Sequence, residues 1–301
     1  MSATPNLSLD RLGLFLKRGS TRARLLLIPI AVFETVFFLL PLLYLFRLSL
    51  YRSGNSAAFV PGTLSFESYA TILTSSFVHQ ILFFTVKMAV ISTVITIAIA
   101  FVYSYAIWQS SGLKRTALLF SIVLPLLTTL VAKLYAWLVL LSPKGTTNAL
   151  LLDVGMIGQP LPLMYNFFGV IVGQVYIILP YAVLAIYSVM STLDWETVEA
   201  ARDLGASRPR SVLEVVLPGS MPGIIVGTIV TWAWGIGAYA SPSLLGSGSE
   251  RTLSIEVESR MLTEFNWPEA SAMSLLMLVL VLSTVIILFN VMNRFEGEQN
   301  A

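Results

Sequence analysis

Six stretches of this chain are apolar for roughly 20 residues or more: Leu25–Phe46, Ile81–Trp108, Thr116–Leu141, Phe168–Met190, Ser220–Leu245 and Ser271–Met292. A helix crosses the hydrocarbon core of a bilayer in about 20 residues. Backbone N–H and C=O groups have no water to bond in lipid, so each run predicts a helix. Only 11% of the residues are charged, against about a quarter in soluble domains. The predicted fold class is therefore an all-α integral membrane protein with six transmembrane helices. The loops between the runs are all too short to be separate domains. Cysteine is absent, which removes disulfides, thiolate catalysis and cysteine metal sites.

The charge placement orients the spans. Arg22 and Arg24 precede the first run, which is too long for a signal core and has no small-residue cleavage site after it. It reads as a retained span. With the N-terminus in the cytoplasm, eleven Lys and Arg residues fall inside and five outside. Two more, Lys87 and Lys133, lie within spans. This bias predicts both termini in the cytoplasm. Residues 1–24 then form a cytoplasmic tail in which Leu7–Gly19 is either an interfacial helix or a frayed end. Residues 25–80 hold the first span and an outer loop, residues 81–292 a five-span core, and residues 293–301 a second cytoplasmic tail.

Between the fourth and fifth spans, at 191–219, lies a segment unlike its surroundings: "EAARDLGASRPRSVLEVVLP", Glu199 to Pro218. Asp194 or Ser191 suits a helix N-cap. Leu193, Thr197, Ala200 or Ala201, and Leu204 follow helical spacing. Gly205 stands where a left-handed C-cap is wanted. Ser207 is placed to cap a second short helix, which Pro218 limits. Small Ala200 and Ala201 leave a close-approach face suited to docking in a groove of another protein. An ordinary charged cytoplasmic loop is the plainer reading of the same residues.

The letters themselves are more specific. Glu199, Ala200, Ala201, Gly205, Leu217 and Pro218 match the EAA signature of permease subunits of ATP-binding-cassette (ABC) importers, with Val215 in place of the usual Ile. The chain from about residue 60 onward resembles polyamine-type members of that family. "LPLLTTLVAKLYAW" (Leu124–Trp137) is similar to their third span, with Lys133 where Arg is usual. "FGVIVGQVYIILPYAVLAIYSVM" and "NWPEASAMSLLMLVL" also look like that group. The resemblance implies the type I importer permease fold, with the EAA loop as a cytoplasmic coupling helix. Glu199, Ala200, Ala201, Arg202, Asp203 and Gly205 would then contact the ATPase. It also implies a cytoplasmic ATPase dimer that binds ATP and Mg, a second permease subunit and an extracytoplasmic solute-binding protein. No nucleic-acid partner is implied. No stretch of this chain matches G-x-x-x-x-G-K-[ST], so no cofactor is expected here and hydrolysis is expected on a partner.

Glu34, Lys87 and Lys133 are ionisable groups inside spans, where charge is costly and usually faces a cavity or another charge. An internal pair between Glu34 and one lysine, a pathway role, and snorkelling to the interface all fit the sequence. Gly219, Gly223 and Gly227, continued by Thr231 and Gly235, form a small-residue stripe for close helix packing, as do Gly169 and Gly173. Pro125, Pro180 and Pro222 are candidate kinks. Tyr135, Trp137, Tyr176, Tyr181, Trp232, Trp234 and Tyr239 pack, sit in the interfacial belt, or line a route for an organic cation. His79 has no cysteine or carboxylate cluster beside it in sequence, so a metal site is not expected. Two outer segments, Phe59–Leu73 and Thr252–Phe265, predict a turn with a short surface helix and an amphipathic helix. The latter is read either as a scoop against the binding protein or as a plain surface helix.

Function reads as one membrane subunit of an ATP-driven importer in the bacterial inner membrane, carrying a small organic solute, a polyamine or related amine. A secondary transporter or channel acting without an ATPase is the alternative. An intramembrane enzyme has no motif in its support. Related permeases often carry an acid near the outer end of span five, where "GAYASP" places Ala238. Opines, aminophosphonates and amino-acid derivatives therefore stay open as solutes.

Overall fold

The computed structural model describes residues 28–54 and 58–299, with side chains described up to residue 290. The predicted interfacial helix at Leu7–Gly19 lies outside these residues. Among the described residues there is no strand, only an isolated bridge between Arg52 and Val60. Four helices are long and apolar enough to cross a membrane: α1 (Ile28–Ser49), α3 (Ser76–Gln109), α7 (Phe167–Met190) and Trp267–Asn290, the first part of α13 (Trp267–Gln299). Two bent pairs supply the other crossings, α4 (Gly112–Leu126) with α5 (Leu130–Leu141) and its extension α6 (Thr146–Asp153), and α9 (Arg208–Gly219) with α10 (Met221–Ile236). Counting each pair once gives six. Short helices α2 (Glu67–Thr74), α8 (Trp195–Asp203), α11 (Ala240–Leu245) and α12 (Leu253–Glu258) decorate the two ends.

The third predicted span, Thr116–Leu141, is not one helix. It breaks at 127–129 and the pieces meet at 103°. Pro125 has no N–H to continue the ladder. Leu127 and Thr128 close the end with three-residue bonds to Leu124 O (3.1 Å) and Pro125 O (3.2 Å). Thr129 then turns extended and caps α5 through Ala132 N. The fifth predicted span, Ser220–Leu245, is likewise interrupted. It is helical to Ile236 and resumes only at Ala240. Its lower end bends by 69° against α9. In α1, Pro41 removes the donor that a regular turn needs, and the helix opens into a π turn over Thr35–Leu39.

The core is built by α3, α7 and α10 packed against one another. Met88, Ala100, Ile107, Val170, Ile178, Ala182, Val183 and Ile186 are buried there. The predicted glycine stripe is the reason α10 sits so close. A Cβ on Gly235 would fall 2.8 Å from Ala89 Cβ, and one on Gly223 would fall 2.9 Å from Ala185 O. Neither position admits a side chain, so the backbones touch. On α7, a Cβ on Gly173 would come within 2.8 Å of Ser241 Oγ, and that hydroxyl donates to Val170 O at 2.7 Å. These contacts clamp α11 against the outer half of α7.

Outside the core, the Phe59–Leu73 segment turns at Gly62 (φ +78°) and forms α2. The amphipathic outer segment forms α12 and continues in a π turn over Ser259–Thr263. It is not a plain surface helix. Leu253 and Glu256 are almost fully buried against α3 and α13. Leu253 N donates to Thr85 Oγ1 (3.0 Å), and Thr252 Oγ1 donates to Ala238 O (2.8 Å).

Candidate coupling loop and pathway residues

The charged loop between α7 and α10 folds as its letters ask. Asp194 caps α8, its Oδ1 accepting from Glu196 N at 3.1 Å. At the other end Gly205 N bonds to Arg202 O (2.9 Å) and Ala206 N to Ala201 O (3.0 Å), which is a Schellman C-cap. Gly205 has φ +95° and open space where a Cβ would be. Glycine is needed for the left-handed conformation, not for room. Ser207 opens α9, but its side chain makes no capping bond. It starts the helix through its carbonyl, which accepts from Ser211 N at 2.9 Å.

The loop is held from within. Val198 is 1% exposed and joins the inner core with Ile107, Met190 and Val216. Leu193 fills the gap over Gly219. Trp195 packs edge-on against Trp108 at the end of α3, with ring centres 4.9 Å apart, and its Nε1 donates to Glu199 Oε1 at 2.8 Å. Arg202 folds back over the Trp195 ring (5.3 Å) and its Nε donates to Ser211 Oγ at 3.3 Å. Glu199, Ala200 and Asp203 are exposed, Ala201 is half-buried, and Leu204 is 91% exposed. Among the six signature candidates, Arg202 therefore faces the spans, while Glu199 is tied to Trp195 and still open to solvent. Behind α8 lies a recess of about 480 Å³ between the loop and the end of α3.

The in-span charges do not pair as the sequence allowed. No ion pair joins Glu34 to Lys87 or Lys133 among the described residues. The reason is position. Every residue from 28 to 41 is exposed, so Glu34 stands on the half of α1 that lies clear of the bundle. Lys87 is exposed, with Nζ 5.0 Å over the Phe167 ring. Lys133 is 7% exposed on α5 and has no carboxylate within ion-pair distance among the described residues.

The aromatic candidates form two pairs. Trp137 meets Tyr176 edge-on at 5.5 Å, and Tyr181 stacks on Trp234 at 5.8 Å. Trp234 and Tyr239 line a 170 Å³ cavity with Leu130, Ile177, Ser241 and Gln174. Tyr135, Tyr181, Trp234 and Tyr239 are exposed. Trp232 is half-buried and its indole N–H has no acceptor among the described residues. Gln174, 2% exposed and donating to Trp234 O at 3.2 Å, was not among the expected residues. A lone amide in an apolar run was the available signal.

A second unexpected feature clasps the outer loop. Glu256 accepts from Arg260 (2.8 Å) and lies 2.6 Å from Arg251. Arg260 also reaches Glu264 (2.9 Å) and Glu269 (3.2 Å). Burial disfavours the Arg260 charge, but the Glu256 hydrogen bond and the charges of Glu269, Glu264 and Glu256 outweigh it and hold its pKa above the ordinary value. No group of three or more metal-ligating side chains stands together among the described residues.

Residues 158–296 match the family described as binding-protein-dependent transport system inner membrane component. The chain is 32% identical over 246 residues to a spermidine/putrescine transport system permease protein PotB of Haemophilus influenzae, covering 81% of this chain and 85% of that one. It is 28% identical over 256 residues to PotB of Escherichia coli, covering 85% and 92%. Its fold matches a crystal structure of a bacterial ABC transporter involved in alginate import, at TM-score 0.75 and 17% identity, covering 94% of this chain and 99% of that one. The chain thus belongs to the family of inner-membrane permease subunits of binding-protein-dependent ABC importers.

Proposed function

We propose that this permease forms half of a translocation pathway and pairs with a second, different permease subunit. It is driven by a cytoplasmic ATPase dimer that binds ATP and Mg, and it is supplied by an extracytoplasmic solute-binding protein. Both termini lie in the cytoplasm. The observation that carries this reading is the loop at 194–219. It is anchored on its inner side by Val198 and Trp195, and it leaves Ala200, Asp203 and Leu204 bare to solvent. A ligand shifts a two-state equilibrium only through contacts that differ between the states. A rigid element fixed to the spans and open to water is what an ATPase needs in order to move them. A cysteine at Ser207 should be shielded from an impermeant thiol reagent in intact cells, and one at Ser249 should react. The reverse pattern removes the orientation and the coupling role together.

The solute is a polyamine or related amine. Support comes from the relatives' names and from the aromatic faces of Trp234 and Tyr239 in the Gln174 cavity, with Tyr181 stacked on Trp234, which suit a cation without a deep trap. One observation favours a second reading. Lys133 is buried with no acidic partner among the described residues, and that suits a solute carrying a carboxylate or phosphonate. ATP-driven uptake by the reconstituted importer with its own binding protein decides between them. Competition by excess putrescine and spermidine supports the amine. Uptake of a labelled zwitterion that they fail to compete supports the second reading.

A further inference from the structure

The recess behind α8 gathers two arginines beside an amide and a phenol. It is lined by Arg202, Arg208, Trp195, Tyr105 and Gln109, among others, and is an open groove of about 480 Å³. Neither Arg202 nor Arg208 has a carboxylate within ion-pair distance among the described residues. The Arg208 side chain makes no hydrogen bond there either, while its carbonyl accepts from Ser211 Oγ and Val212 N. Two uncompensated guanidinium groups therefore face one hollow, with an amide and a phenol beside them as further donors. Five N–H donors per guanidinium in a planar fork match the oxygens of a phosphate.

Its position decides the source of that phosphate. Trp195 and Arg202 are seven residues apart, about two helical turns, and share the side of α8 that meets α3. Exposed Ala200 lies on the far side of the same helix, so the ATPase-facing surface and the recess are different faces. Tyr105 and Gln109 are in the last turns of α3, next to the packed pair Trp108–Trp195. Tryptophan and tyrosine at a helix end mark headgroup depth, and the cytoplasmic leaflet is the anionic one. We infer that the recess holds the phosphate of an anionic phospholipid of the cytoplasmic leaflet, seated between α3 and the coupling loop. The loop would then be braced by lipid on one face while the other meets the ATPase. This inference rests on the orientation and coupling role proposed above.

The test uses the assembled importer in vesicles of phosphatidylcholine alone or doped with phosphatidylglycerol. Phosphatidylglycerol retained after mild extraction is read by native mass spectrometry, and ATP turnover is followed with the loaded binding protein. Wild type should retain phosphatidylglycerol selectively and turn over faster in doped vesicles. A basic residue near an anionic surface contributes enough for R208Q to lower retention about fivefold, and R202Q with R208Q together roughly 30-fold. R208K should retain most of the lipid. R208Q is the cleaner variant, because Arg202 also packs on Trp195. Equal retention by wild type and R208Q overturns the inference. So does displacement of the lipid by inorganic phosphate, which would make the recess a free-anion site, or a cross-link from Gln109 to the ATPase instead of lipid. Failure of the ATPase to assemble with the chain at all would instead count against the coupling role.

Discussion

The two loops that flank span five manage charge in opposite ways. In the inner loop, before span five, residues 191–219 are anchored by apolar side chains, Val198 and Leu193, and by the Trp108–Trp195 pair, with most of their charges turned to water. In the outer loop, after span five, residues 246–269 turn two of their acids inward. Glu256 is 1% exposed and Glu269 is 5% exposed, both held by Arg260. An apolar anchor leaves the polar face free for a partner. A buried ion network ties the loop to its own spans and leaves fewer groups to offer. The inner loop is therefore built as a surface and the outer loop as a clasp.

The largest test of that contrast is Glu256→Gln. Removing one member of a buried network leaves Arg251 and Arg260 without their shared carboxylate, at a cost of about 3–5 kcal/mol. Denaturation of the purified chain in detergent should show that loss, with early proteolysis confined to residues 246–266. A loss no greater than that of an exposed acid would mean the clasp is ornamental. Val198→Ala removes two buried methyl groups and should cost about 2 kcal/mol. The inner loop should then be cut first, with the outer loop still protected. Gly205→Asp places a side chain at φ +95°, worth about 1–2 kcal/mol of strain. Uptake should fall while the binding protein still docks, and unchanged uptake at equal expression would separate the C-cap from coupling. Glu34→Gln should be the mildest in the isolated chain, within about 0.5 kcal/mol. A larger loss there would reveal a partner for Glu34 within the chain.

Much of this was legible in the sequence because it is local. The six apolar runs, the Asp194 cap, the Gly205 stop and the glycine stripe each depend on residues a few positions apart. The breaks in spans three and five were not legible as breaks. Hydropathy stays high through Leu127 and through Gly237–Ala238, and a helix can end without any polar residue to mark it. Pro125 was visible as a kink, but a 103° bend also needs Thr129 to turn extended and cap a new helix. The Glu34 pairing failed for another reason. Span depth can be estimated from sequence, but the side of the bundle on which a span lies cannot. Arg202 reads as one more exposed charge of the signature, and the Trp195 ring and Ser211 hydroxyl turn it toward the end of α3. The outer network joins residues up to 18 apart, Arg251 to Glu269, across a chain reversal at Phe265 (φ +54°), which an amphipathic pattern does not report.

The 69° angle at Ser220 has a mechanical consequence. α9 and α10 meet there like the arms of a bell crank. A push along the axis of α9 would reach α10 mostly as a force across its axis. Where α10 meets α7, Gly223 presents no side chain to interlock with Ala185 and Ile186. Displacement of α9 along its own axis would thus become lateral displacement of α10, which carries Trp234 and the aromatic cavity.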